Sequence, residues 1–234
     1  MNPIAKSLRV VQDRLRRVLE EAARAPGSVR LLAVSKTFDA EAVHQAWLAG
    51  QPEFGENYIQ EGVDKIVRLR VLEPNGGLVW HCIGPVQSNK TRLVAEHFDW
   101  VHTVDRLKIA QRLNEQRPAH LPPLSVCVQV NIDGGDTKSG VAPSEALGLA
   151  QAVRELPRLR LRGLMTIPDP SDDMLAVHTR ARVLFENLQR ALALPEFDTL
   201  SMGMSADMES AVQAGSTMVR VGSAIFGTRP PKTA

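Results

Sequence analysis

An apolar run, LLAVSK at residues 31–36, ends on a lysine in a chain where lysine supplies seven of the 28 basic residues. A lysine at a strand end ordinarily lays its alkyl stem on apolar surface and lets the ammonium reach water. With apolar neighbours behind it, the same amine is partly desolvated and its pKa falls, which makes it competent to form a Schiff base with a carbonyl compound. Two later stretches suggest what that compound is. SMGMSADME (201–209) and VGSAIFG (221–227) are small and glycine-bearing, so backbone can approach an anion closely, with Gly222, Ser223 and Ser201 or Ser205 as donors. Small residues also make ordinary tight turns. Beside a strand-end lysine, they point to a phosphorylated carbonyl, and pyridoxal 5'-phosphate and sugar-phosphate aldehydes both fit. Arg220, inside MVRVG, separates these two. A guanidinium within a strand must meet a partner. That partner is either a structural carboxylate such as Asp207 or Glu209, or the pyridine nitrogen of pyridoxal phosphate, to which arginine is a permanent donor.

The elements that must position these groups alternate along the chain. LLAVS, EFG, LVWHCIG, WVHTV, LSVCVQVN, LRGLMTI, TLSMGM and MVRVG are apolar nearly throughout, as strands covered on both faces are. Between them lie segments of helical period, among them 39–50, 58–71, 88–98 and 172–192. Eight strands each paired with a helix predict a (β/α)8 TIM barrel, an α/β fold, as one domain over residues 1–234. A doubly wound open sheet is the competitor, but SKTFDAEA after the first strand carries no GxGxxG. Ile4, Leu8, Val11, Leu15 and Val18 predict an extra N-terminal helix docked on the barrel. Active sites of such barrels lie where the strands end, which is where Lys36 and both glycine-bearing loops fall.

Composition narrows the partners. The 28 basic and 26 acidic residues leave a net charge of +2 without clustering, which disfavours nucleic acid and anionic membranes. No apolar stretch approaches the ~20 residues of a membrane span, and the N-terminal segment lacks a signal peptide's apolar core. Cys82 and Cys127 sit in apolar runs as buried free thiols of a reducing compartment. A cytoplasmic location and a small-molecule or protein partner are therefore expected. The six histidines have no metal-ligand spacing, so no metal is expected. His81 reads as a core histidine bonded to backbone, with contact to a ligand as the alternative, and Lys138 as a solvated loop lysine that also lies near the mouth.

LLAVSKT, FGENYIQEG, WHCIGPVQSNK, NIDGGDTKSGV, LRGLMTIP and LSMGMSADMESAVQAGSTMVRVGSAIFG, in order and over almost the whole chain, resemble the pyridoxal phosphate homeostasis protein family. The resemblance implies the fold type III barrel of the alanine racemase N-terminal domain, without that enzyme's second β-domain. It implies that Lys36 forms the internal aldimine with pyridoxal 5'-phosphate and that Arg220 faces the pyridine nitrogen. Asn57 would lie beside the ring, with Ser201, Gly222 and Ser223 holding the phosphate. Members commonly carry another lysine two residues after the aldimine lysine. This chain has Phe38 there, so the secondary cofactor-handling role of that lysine does not carry over.

A racemase of this fold class needs bases on both faces of the bound amino acid, and the chain has a single tyrosine, Tyr58. An arginine at the ring nitrogen also weakens the ring as an electron sink. The expectation is thus a non-catalytic, monomeric protein that stores, buffers or delivers pyridoxal phosphate in vitamin B6 homeostasis, with apo pyridoxal phosphate enzymes as recipients. A fold type III enzyme acting on an amino acid is the alternative, and a Schiff-base aldolase the third reading.

Overall fold

The computed structural model describes residues 2–135, 138–171 and 173–228. Its eight strands are β1 Arg30–Val34, β2 Glu53–Glu56, β3 Val79–Cys82, β4 Trp100–Val104, β5 Leu124–Val130, β6 Leu159–Thr166, β7 Thr199–Ser201 and β8 Met218–Val221. Neighbours in sequence pair in parallel and β8 returns to β1, with Leu32 opposite Arg220, so the barrel closes. The predicted (β/α)8 fold is therefore the observed one. The helices are α1 Pro3–Glu21, α2 Ala40–Leu48, α3 Ile59–Leu72, α4 Thr91–His97, α5 Leu107–Gln116, α6 Ala146–Arg154, α7 Met174–Leu192, α8 Met208–Gln213 and α9 Ser223–Phe226. None is long and apolar enough to cross a membrane.

Several boundaries differ from the sequence reading, three of them for clear local reasons. The helix predicted over 88–98 opens with a single 3-10 turn at Ser88–Lys90 before α4. The strand TLSMGM keeps only three residues, because Gly203 turns at φ +91° and Met204 N–H bonds Asp207 Oδ1 at 2.7 Å, starting a loop. Helix α7 is capped by Asp173, whose carboxylate accepts from Ala176 N–H. Asp172, the predicted start of that helix, lies outside the described residues.

Alternate strand residues face opposite ways. One set, including Phe54, Trp80, Val126, Leu200 and Val219, packs beneath the helices in the main core. The other set points inward and is only partly apolar, with one cluster of Leu32, Val34, Ile83 and Met218 and another of Trp100, Cys127 and Met165. His81, His102, Ser201 and Arg220 are buried in the same interior. Helix α1 buries Leu8, Val11, Leu15 and Val18 and packs on α8 and α9. Each of these side chains contributes roughly 1.5–3 kcal/mol by leaving water. Arg14 of this helix also bonds Ser205 O at 2.9 Å and Glu209, so the added helix backs the loops after β7 and β8.

Candidate functional site

A cavity of about 360 Å³ opens where β1, β2, β3, β6, β7 and β8 end. Lys36, two residues beyond β1, lines it, as do Asn57 after β2, Ser205 after β7, and Gly222 and Ser223 after β8. Arg220 reaches it from within β8. Five of the six residues expected at the site thus meet in one cavity, in which Lys36 is the only lysine among the described residues. Ser201 is not on its wall. It is fully buried at the end of β7, where its hydroxyl contacts Arg220 and His102, while Ser205 in the following turn reaches the lining.

Neither carboxylate considered as a partner for Arg220 bonds it. Asp207 accepts from Met204 N–H and from His178 Nε2, and Glu209 is engaged by Arg14. Burial pushes the Asp207 carboxyl up, but the His178 and Met204 bonds outweigh it and hold the pKa below the ordinary value. The Arg220 guanidinium instead donates to Ser201 O at 2.8 Å, Ser201 Oγ at 2.9 Å and Thr166 O at 2.8 Å, all neutral acceptors. Burial lowers its pKa to about 10, so it remains charged at neutral pH. A guanidinium has five N–H donors. Three bonds therefore leave two donors without a partner among the described residues, on a buried cation beside a cavity.

The Ser201 hydroxyl continues inward. His102 Nδ1 lies 3.0 Å from Ser201 Oγ, and His102 Nε2 lies 2.9 Å from His81 Nδ1. His81 Nε2 is 3.3 Å from Glu53 Oε2, close enough for attraction but off the hydrogen-bond direction. Because Arg220 donates to Ser201 Oγ, the hydroxyl proton is available to His102 Nδ1. That placement has His102 donate from Nε2 to His81 Nδ1 and leaves the His81 Nε2–H on the Glu53 side, without a hydrogen bond among the described residues. Burial lowers the pKa of both imidazoles, consistent with two neutral rings. His81 is thus a core histidine, as expected, but its partner is His102 rather than backbone. His102 and Thr166 escaped the sequence reading because the pairings cross between strands, where only register brings them together.

Around the mouth, Gly84 allows the chain after β3 to lie against Asn57, since a Cβ there would stand 2.0 Å from Asn57 O. Asn57 Oδ1 is buried without a hydrogen-bond partner among the described residues. Phe38 lines the cavity and stacks on Phe226 of α9, with ring centroids 5.2 Å apart. Lys138 is tied to Asp169 Oδ1 at 2.8 Å and to Ile167 O at 3.0 Å, and Ile167 lines the cavity. Asp136 and Thr137 of the same predicted motif lie outside the described residues. No three His, Cys, Asp or Glu among the described residues gather as metal ligands.

The arrangement suits a ring compound with three features: an aldehyde for an amine, an acceptor nitrogen for a cationic donor, and an anion for backbone amides. The first bond within α9 runs from Ile225 N–H to Gly222 O, which leaves the amides of Ser223 and Ala224 outside the helix's own bonding. An unpartnered Asn57 Oδ1 and two open Arg220 donors are the groups that such a ligand would satisfy. The volume falls within the ~300–1,000 Å³ typical of small-molecule sites.

Comparison with known proteins agrees with this chemistry. The family described as alanine racemase, N-terminal domain, matches residues 8–230. The chain is 56% identical over 232 residues to the pyridoxal phosphate homeostasis protein of Escherichia coli strain K12, covering 98% of each chain. It is 53% identical over 229 residues to the protein of that name from Pasteurella multocida, covering 97% of each. Among solved structures it resembles PipY of Synechococcus elongatus PCC7942 with PLP bound, at a TM-score of 0.82 and 35% identity over 96% of this chain and 100% of that one.

Proposed function

Because this chain belongs to the pyridoxal phosphate homeostasis protein family, within the alanine racemase N-terminal domain family, we propose that its cavity binds pyridoxal 5'-phosphate and that it stores, buffers or delivers the cofactor in cytoplasmic vitamin B6 homeostasis. When bound, the cofactor supplies an aldehyde that condenses with a neutral primary amine, with loss of one water. Lys36 is the amine of the cavity wall and would be the covalent attachment point. Arg220 would give an open N–H to the ring nitrogen, and Asn57 would contact the ring. The amides of the Gly222–Ser223 segment and the hydroxyls of Ser223 and Ser205 would hold the phosphate, with Ser205 in the place first expected for Ser201. Ser201 would serve by fixing Arg220. The chain would act as one barrel domain and as a monomer, with apo pyridoxal phosphate enzymes as recipients.

The observation that carries the non-catalytic reading is the cavity wall. Among the described residues it holds no Asp, Glu, His, Cys or Tyr, so Lys36 is the one side chain of the wall of a type that serves as a general base. Tyr58 is 52% exposed and is not part of that wall. Inversion by two bases needs a second one on the opposite face, which this wall does not supply among the described residues. Incubation of the loaded protein with L- and D-amino acids in deuterated water tests this. The expected result is a perturbed visible spectrum without turnover, together with recovery of activity when the loaded protein is added to an apo-enzyme. Exchange of the α-proton at about 1 s⁻¹ or faster, the low end of ordinary turnover, would overturn it.

A further inference from the structure

The turn that carries Lys36 is strained and is gripped from outside the barrel. Thr37 has φ +69°, a conformation that β-branched residues rarely adopt and that persists only where the surroundings impose it. The surroundings here are a buried ionic cluster. Lys65 of α3, only 5% exposed, directs its ammonium at Ser35 O (2.8 Å), Glu56 Oε1 (2.8 Å) and Glu61 Oε1 (2.7 Å), which uses all three N–H donors. Glu61 Oε1 also accepts from Thr37 N–H at 2.6 Å, and Glu56 Oε1 from Ser35 Oγ at 2.6 Å. The backbones immediately before and after Lys36 are therefore each tied to a charged group, while Ser35 N–H is held by Gly55 O. A cluster that only joined α3 to the barrel would not need to hold these two peptide groups.

We propose that Lys65 and Glu61 are positioning residues for Lys36, holding the strained turn that aims its amine into the cavity and thereby setting how slowly a bound aldehyde is released. This rests on the reading that Lys36 carries the cofactor. Without the cluster, Thr37 relaxes to negative φ and the amine samples other directions, which lowers the fraction of time it is aligned with the cavity.

The test uses the full chain with Glu61→Ala, Glu61→Gln and Lys65→Met. Glu61 is about one-third exposed, so its variants are the ones expected to fold even where Lys65→Met does not. In the cofactor-free protein, Thr37 amide exchange should quicken by about tenfold or more in Glu61→Ala, the scale of one lost charge-assisted hydrogen bond. Glu61→Gln, which keeps an oxygen acceptor, should restore most of the protection, and a merely structural role would predict no such rescue at a single amide. In the loaded protein, release of pyridoxal phosphate to an excess of hydroxylamine should accelerate in the same order. Borohydride fixation followed by peptide mapping keeps the two readings apart. Label on another lysine in the wild type would overturn the function proposed above and the claim on release with it. Label on Lys36 with exchange and release in Glu61→Ala within twofold of wild type would overturn the positioning role alone.

Discussion

Arg220→Met separates what the guanidinium does for the fold from what it does for the ligand. Methionine removes three bonds, to Ser201 O, Ser201 Oγ and Thr166 O. A buried acceptor left open costs roughly 1–3 kcal/mol, so the gross loss is about 3–9 kcal/mol. Against this, burial holds the guanidinium near pKa 10, which at about 1.4 kcal/mol per unit is a cost of roughly 3 kcal/mol that vanishes with the charge. The apo-protein should therefore lose a few kcal/mol and still fold. Binding should suffer separately, by roughly 1.5–3 kcal/mol for the charge-assisted bond to the ring nitrogen, or about ten- to a hundredfold in Kd. The assay is a visible titration with pyridoxal phosphate and with its analogue that has carbon in place of the ring nitrogen. The wild type should prefer the nitrogen compound by about tenfold or more, whereas Arg220→Met should bind both alike. An equal preference in both proteins would refute the assignment of Arg220 to the ring nitrogen, whatever the change in stability.

Lys36→Ala should abolish the visible band and its loss on borohydride treatment, because the cavity wall offers no other lysine among the described residues; a full-strength band would remove Lys36 from its role. Pyridoxal without phosphate should bind at least about a hundredfold more weakly than the phosphate, since two or more charge-assisted bonds of roughly 1.5–3 kcal/mol are lost. Gly222→Leu should weaken the phosphate compound selectively: a Cβ there already stands 3.1 Å from Val34 O, and the rest of the side chain has the cavity to enter. Equal affinities in either experiment would count against the β8 loop as the anion site. His81 and His102 have lowered pKa values in the folded protein, so on acidification the unfolded chain takes up protons the folded one refuses. Stability should thus fall as pH drops below about 6.5, by up to ~1.4 kcal/mol per pH unit per histidine, and the melting temperature should fall with it. A His81→Phe, His102→Phe double variant should show a flatter slope over pH 6.5–5, and an unchanged slope would mean the two rings do protonate in the fold.

Strand-scale features were legible because they depend on neighbours in sequence. The apolar run ending at Lys36, the charge inside MVRVG and the small loops after the last two strands all read correctly as one end of a barrel. Ser201 and Ser205 could not be ranked the same way. Which serine faces the ligand depends on where β7 stops, and it stops at Ser201 because Gly203 and the Asp207 turn follow. Glu61 and Lys65 look like an ordinary exposed i,i+4 pair on a helix. Only the approach of Ser35, Glu56 and the turn at Thr37, from two other elements, makes them an interior cluster. The His81–His102 contact likewise requires the register of β3 on β4, which no local pattern encodes.

On the proposed reading, holding the cofactor without using it would follow from what the site can and cannot do with protons. Withdrawing electrons from a bound amino acid is strongest when the ring nitrogen is itself protonated, which an adjacent acid favours. Arg220 cannot supply that state: with a pKa of about 10 it keeps its proton at neutral pH and donates only a hydrogen bond. Its partners reinforce this, since they are carbonyls and a hydroxyl already committed to a neutral histidine chain, and none is a base that could draw a proton from the guanidinium. On the proposed assignment, retention would then depend on the loops after β7 and β8 and on Lys36, with the cavity mouth open to an incoming amine. A carboxylate in place of Arg220 would bring the missing acid but would also meet the carbonyls of Ser201 and Thr166 that now accept from the guanidinium, so one change would undo both the donor and its support. The arginine and the buried polar interior are therefore a single arrangement, joined through Ser201.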